Sequence, residues 1–325
     1  MHLLKIAQSA KILITGGAGF IGSHLVRQLD QAPGIEKIIV VDALTYASDM
    51  RRLIGVSKKV ELVESNIKDI EKYSSLLSEC NFVINLAAES HVDKSISNGT
   101  PFLDSNVLGS FILFEACRSI NHISLIHIST DEVYGSLNEG VATEMSPLNP
   151  TSIYSASKAA SDFLALANIK THRQKITITR CTNNFGPYQN AEKFIPTVIN
   201  NALQGKSIPI YGDGKNTREW INVADHASAI IKVMNNFEAG KIYNIGSGTR
   251  ISNIDLAKYI LKILGSPVEL INFTDDRKGH DYRYAVDSSL IKKELNWRPR
   301  YEFYSSIQST VNWYKSWFEK HGSVY

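Results

Sequence analysis

Cysteine is scarce. Cys80, Cys117 and Cys181 are the only three in 325 residues, an odd number without CxxC spacing, so neither a disulfide framework nor a zinc site is indicated and a reducing compartment is expected. Long apolar runs are missing too: none reaches the roughly 18 residues a membrane helix needs. The opening "MHLLKIAQSAKILITGG" lacks a signal-peptide core and cleavage site. A cytoplasmic protein with no membrane partner is therefore expected, and the sequon Asn98-Gly99-Thr100 carries no meaning there. Dense basic runs are also lacking. The 35 Lys and Arg stand against 32 Asp and Glu, a net charge of +3 spread along the chain, which gives no reason to expect a nucleic-acid partner but leaves room for a small anionic ligand. The nine histidines form no metal constellation: His122 and His127 lie around one strand and His24 in a helix, so no metal is expected. No internal repeat or low-complexity tract is found.

What is present is a globular composition, 43% hydrophobic and 21% charged, with length enough for a large core and one or two domains. Short Ile- and Val-rich runs at 10–15, 37–42, 81–87, 123–130 and 175–181 read as strands buried on both faces. Between them "FIGSHLVRQL", "FLDSNVLGSFILFEACRS" and "SASKAASDFLALANIK" carry apolar residues at helical spacing. The alternation predicts an α/β fold, a Rossmann-type doubly wound parallel sheet over residues 1–181. A smaller, interleaved substrate domain is expected over 182–325, with later segments free to return to the first sheet. Loops dense in Gly, Asn, Asp and Arg mark this second half, where ligand contacts collect. Ser252 and Gly265 bracket a helix, and the stripe Ile307, Val311, Tyr314, Phe318 is expected to be core.

After the first strand, Gly16-Gly17-x-Gly19-x-x-Gly22 opens a helix, the context a dinucleotide fingerprint requires. Such glycines let the backbone approach a pyrophosphate seated at the helix N-terminus; a bare tight turn is the plainer alternative. Asp42 at the end of the second strand shifts the balance, because a carboxylate there accepts from ribose hydroxyls and repels a 2′-phosphate. NAD is expected in preference to NADP. Tyr154 and Lys158, four apart, share one helical face, where a cation would lower the tyrosine pKa from about 10. A surface pair is the alternative. "ISTDEVYG" sets Asp131 and Glu132 side by side where a strand ends.

These motifs together resemble the extended short-chain dehydrogenase/reductases, and most closely their dTDP-glucose 4,6-dehydratase branch. "TGGAGFIGSH" and YxxxK belong to the wider superfamily, whereas "LAAESHVDKSI", "STDEVYG", "NNFGPYQ", "YGDGKNTREW" and "DRKGHDYRYAVD" resemble the dehydratases in particular. Lys94 stands where arginine is usual, Glu219 for aspartate, and "ESNIKD" for a glycine-containing pattern; none of these removes a reacting group.

The resemblance implies an NAD-dependent lyase acting on dTDP-glucose or a UDP-sugar, with Tyr154 as the C4 base, Thr130 on the C4 oxygen, Glu132 as the C5 base and protonated Asp131 as the acid at the C6 hydroxyl. It places NAD against Gly16, Gly17, Gly19, Phe20, Ile21, Gly22, the segment Asp42, Ala43, Leu44 and Thr45, then Asn66, Ile67, Ala87, Ala88, Glu89, Ser90, Ser105, Tyr154, Lys158 and Asn184. It places the nucleotide-sugar against Ser90, Thr130, Asn183, Lys193, Arg218, Asn253, Asp276, Arg277 and His280, with Arg218 gripping the diphosphate. A homodimer through helices around 101–120 and 154–170 is implied as well. A C4 epimerase or uronate decarboxylase of the same fold, and an idle NAD-sensing protein, are the competing readings. The acid pair argues against the first two; intact Tyr154 and Lys158 argue against the third.

Overall fold

The computed structural model describes residues 9–322. In chain order its strands are β1 (Ala10–Thr15), β2 (Ile35–Asp42), β3 (Val60–Glu64), β4 (Phe82–Asn85), β5 (Ser124–Thr130), β6 (Ile176–Cys181), β7 (Asn183–Phe185), β8 (Ile208–Tyr211), β9 (Thr217–Asn222), β10 (Ile242–Ile245), β11 (Arg250–Ser252) and β12 (Ile271–Thr274). Seven form one sheet in the order β10-β6-β5-β4-β1-β2-β3, and every pairing in it is parallel. The chain thus returns to this sheet with β10 after leaving it at β6.

The period-2 alternation of strands decides where the core lies. On β1, Ile12 and Ile14 face one layer with Leu25, Val26 and Leu29 of the helix Phe20–Asp30, while Leu13 faces the other with Leu113 and Phe114. Both faces are covered, which is why these runs carry no polar alternation. A second core joins the three-stranded sheet β11-β9-β7 and the pair β12-β8 to the helices Phe194–Leu203, Asn253–Leu264 and Phe303–His321. Ile307, Val311 and Tyr314 are fully buried there, whereas Phe318 is only half-buried. Ser252 accepts from the Asp255 amide, and Gly265 ends that helix at φ +66°, a backbone that favours glycine. No helix among the described residues is long and apolar enough to cross a membrane.

Two features depart from the periodicity. β3 was not among the expected strands: at the sheet edge its Glu61 and Glu64 are exposed, and that polar face breaks the buried-run pattern. The expected continuous helix over 102–119 is instead a short turn, Thr100–Phe102, a π-helix, Leu103–Gly109, and a regular helix, Ser110–Ser119. Such widened turns recur at functional sites.

Candidate active site

The strand order reverses its direction of growth between β1 and β4, and ligands of such sheets bind beyond the carboxyl ends of the strands at that point. A cleft of about 440 Å³ opens there, lined from both halves of the chain. Its floor is the glycine loop. Gly16 takes φ +70°, and a Cβ on Gly22 would fall 2.2 Å from the Gly16 carbonyl oxygen, so the crossing is closed to any side chain. Gly17 packs inward against Val40 and does not line the cleft, while Gly16, Gly19, Phe20, Ile21 and Gly22 do. No side chain caps the helix that starts at Phe20, leaving its amide end for an anion. These features fit a dinucleotide.

Asp42 accepts from the Ala18 amide at 2.8 Å, the Leu44 amide at 3.0 Å and Ser48 Oγ at 2.6 Å, which locks its carboxylate at the cleft wall. Leu44 turns at φ +49° to make its contact and itself stays out of the cleft lining. Ala43, Thr45, Asn66, Ile67, Ala87, Ala88, Glu89, Ser90, Ser105 and Asn184 all line it. Sequence reasoning missed Asn106. Fully buried in the π-helix, its amide accepts from the Glu89 N–H at 2.8 Å and donates to the Glu89 carbonyl at 3.0 Å and to Ser157 Oγ at 2.9 Å. It ties the loop after β4 to the tyrosine helix. The dipeptide Asn-Val inside an apolar pattern carries no local sign of that task.

At the end of β5, Thr130 caps a 3-10 turn that holds Asp131 and Glu132. The register Thr130 to Cys181 sets this turn beside the end of β6. Burial, then the charges of Glu132 and Glu219, hold the Asp131 carboxyl well above the usual range, and its Oδ2 is buried with no hydrogen-bond partner among the described residues. Burial also raises Glu132, but Arg218, Arg277 and Lys193 pull it back toward the charged form. Both neighbours are raised, but the three cations oppose the shift of Glu132 more than anything opposes that of Asp131, the kind of difference that separates an acid from a base. Tyr284 reaches Glu132 Oε2 at 3.5 Å while donating to Asp281.

Ser152 and Ser155 form a capping box that starts the helix Ile153–His172, and both Tyr154 and Lys158 line the cleft. The tyrosine pKa corrects the sequence expectation. Burial and then Glu132 push it above the ordinary phenol value, opposed by the Thr130 hydroxyl. Lys158 Nζ donates a hydrogen bond to the Ile128 carbonyl at 2.7 Å, and burial brings its own pKa down to about 8. In this arrangement desolvation and the neighbouring carboxyls outweigh the Thr130 hydroxyl's pull on the phenol.

On the substrate side Asn183 and Lys193 line the cleft, Lys193 Nζ donating to the Ser90 carbonyl at 2.8 Å. Arg218, Asn253, Asp276, Arg277 and His280, all on the C-terminal segments, do not line it. Arg218 is stacked 4.4 Å from the Tyr284 ring centroid and gives its terminal nitrogens to the carbonyls of Thr217, Tyr282 and Asp281. The expected diphosphate grip therefore needs those bonds exchanged. Arg277 lies 3.4 Å from Asp93, and His280 Nδ1 2.6 Å from Asp276. Asn253 heads its helix with its amide on the Asn216 carbonyl. Glu219 in place of aspartate is fully buried, paired with Arg250 at 2.9 Å and accepting from Gly248 N.

The family profile described as GDP-mannose 4,6 dehydratase matches residues 13–310. A dTDP-glucose 4,6-dehydratase of Streptomyces niveus is 41% identical over 318 residues, 95% of each chain. The crystal structure of dTDP-glucose 4,6-dehydratase from Streptomyces venezuelae, solved with NAD bound, superposes with a TM-score of 0.90 at 41% identity, covering 95% of this chain and 98% of that one. The Bacillus anthracis dTDP-glucose 4,6-dehydratase in complex with NAD gives 0.89 at 40% identity, covering 96% and 98%. Likeness at this level, in sequence as well as in backbone and across nearly all of both chains, is descent and not shared topology alone: the chain belongs to the dTDP-glucose 4,6-dehydratase family.

Proposed function

We propose that this protein converts dTDP-glucose to dTDP-4-keto-6-deoxyglucose with NAD as a tightly held, regenerated cofactor. The observation that carries the proposal is the buried acid pair, an Asp131 carboxyl raised well above the usual range whose Oδ2 has no hydrogen-bond partner among the described residues, next to a Glu132 whose upward shift by burial is opposed by Arg218, Arg277 and Lys193. NAD in the glycine-lined cleft would accept hydride from C4 and return it to C6. Tyr154 takes the C4 hydroxyl proton, with the Thr130 hydroxyl on the same oxygen. The C4 ketone then acidifies C5–H. Glu132 removes that proton, Asp131 donates to the C6 hydroxyl as water leaves, and C5 is reprotonated. An epimerase has no use for an acid at C6. Lys158 and Asn184 serve the cofactor; Ser90, Asn183, Lys193, Arg218, Asn253, Asp276, Arg277 and His280 serve the nucleotide-sugar.

Incubation with dTDP-glucose, UDP-glucose and UDP-GlcNAc in turn tests this, with the 4-keto-6-deoxy product expected from dTDP-glucose. A product that keeps its C6 hydroxyl and inverts C4 would turn the assignment to an epimerase. Cofactor choice follows from Asp42: turnover with NAD should exceed that with NADP, and Asp42→Ala should narrow the gap. Equal activity of the parent apoenzyme with both cofactors would remove Asp42 from that role.

The proposal includes a homodimer and a cytosolic setting. Leu103, Leu108, Phe111 and Phe163 stay 54%, 46%, 40% and 57% exposed on the helices 103–119 and 153–172, apolar surface that a second copy would cover. Sedimentation should give twice the chain mass. The three cysteines are buried and free of disulfides, which supports a reducing compartment.

A further inference from the structure

In the reaction proposed above, Glu132 takes the C5 proton while the nucleotide-sugar occupies the cleft, and the side chains behind Glu132 run the other way. The Tyr284 hydroxyl lies 3.5 Å from Glu132 Oε2 and donates to Asp281 Oδ2 at 2.5 Å. A phenol carries one hydrogen. With that hydrogen on Asp281, the oxygen meets Glu132 as an acceptor, at a distance of the kind that tightens when substrate binds. The same Oδ2 accepts from Thr151 Oγ1 at 2.5 Å. Tyr284 and Asp281 are 3% and 4% exposed, whereas Thr151, two residues ahead of the helix Ile153–His172, is an exposed residue. None of the three lines the cleft. The backbone holds them in place: the Asp281 carbonyl accepts from Arg218 at 2.9 Å and from Asn216 at 3.2 Å, the Tyr284 amide donates to the Thr217 carbonyl at 3.3 Å, and the Arg218 guanidinium stacks on the Tyr284 ring.

We propose that Tyr284, Asp281 and Thr151 form a proton wire that connects Glu132 with bulk water behind the occupied cleft. Glu132, once it holds the C5 proton, gives a proton to the Tyr284 oxygen as Tyr284 gives its own to Asp281 Oδ2. The Thr151 hydroxyl then turns outward, accepts from Asp281 and releases its hydrogen to water. Each oxygen of the wire gains one proton and loses one, and Glu132 is left as the carboxylate. The reverse run brings a solvent proton to Glu132 for C5. Burial and the charge of Glu132 hold the Tyr284 phenol far above its ordinary value, so it receives and gives together and never stands as a phenolate. All three act through Glu132.

The test is a single turnover of dTDP-glucose in deuterated water, with the hydrogen at C5 of the product read by mass spectrometry. The parent is compared with Tyr284→Phe, which keeps the ring beside Arg218 and deletes the relaying oxygen, and with Thr151→Val, which keeps the shape and deletes the exit. The parent product is expected to carry deuterium at C5. Both variants should lose it and return the substrate's own protium, with C4 oxidation and KM little changed, while Thr151→Ser keeps the deuterium. A contact of structural value only would slow turnover and leave the label as it was. Deuterium at the parent level in a folded Tyr284→Phe or in Thr151→Val overturns the wire, as does protium in the parent product. If Tyr284→Phe does not fold, Thr151→Val, altered at an exposed position, decides alone. The wire rests on the function proposed above: a parent inert toward dTDP-glucose overturns both, whereas a parent that forms the 4-keto-6-deoxy product upholds the function and leaves the label to decide the wire.

Discussion

Tyr154→Phe is expected to cut turnover of dTDP-glucose by about 10²–10⁴-fold, the loss of a general base in the first chemical step. Only one oxygen is deleted, and the ring's edge contact with Phe102, at 6.3 Å between centroids, is kept; fold and nucleotide binding should persist. The absorbance of reduced nicotinamide on mixing with substrate reads the step directly. Its rate should fall as far as turnover does, with the affinity for dTDP unchanged. Appearance at the parent rate would show that another group takes the C4 proton. The raised tyrosine pKa gives a second check. Glu132 is one of the groups that push the phenol up, so oxidation in Glu132→Gln should reach its half-maximal rate at a lower pH than in the parent.

The second large effect separates the acids. Glu132→Gln removes the C5 base and leaves Tyr154 intact, so C4 should be oxidised while exchange of the C5 hydrogen with deuterated water and loss of water both stop. Asp131→Asn should behave differently: C5 exchange survives, and departure of the C6 hydroxyl slows by about 10²–10⁴-fold. Single-turnover mass spectrometry in deuterated water distinguishes the two, and C5 exchange at the parent rate in Glu132→Gln would falsify its assignment as the base. Asp131 also carries a stability signature. Its folded pKa is raised above the ordinary 3.8, so the native state binds the proton more tightly than the unfolded chain does. That costs no stability below pH 3.8 and an increasing amount as pH climbs toward the folded value. Asp131→Asn should therefore melt higher than the parent near neutral pH, with the difference fading toward pH 4.

Much of this molecule was legible before any fold was known, because the signals are local. Buried-run strands, the glycine crossing from Gly16 to Gly22, Asp42 at a strand end, the four-residue step from Tyr154 to Lys158 and the adjacency of Asp131 and Glu132 depend on residues a few positions apart, whose geometry the backbone alone sets. Even β3 and the π-helix depart only where a polar edge or one extra residue per turn weakens the pattern. The chemistry of the acids was another matter. Which of two neighbouring carboxylates keeps its proton depends on desolvation summed over β5, β6, the helix Ile153–His172 and the C-terminal segments that bring Arg218, Arg277 and Lys193 to Glu132 and Glu219 toward Asp131. The same holds for Asn106 on Glu89, for Tyr284 on Glu132 and for Arg218, whose guanidinium is drawn onto the main-chain carbonyl of Asp281, 63 residues away. By itself the sequence determined the elements and the inventory of reacting groups. Only the tertiary structure decided their charge states and partners, because electric fields and water exclusion act through space and not along the chain.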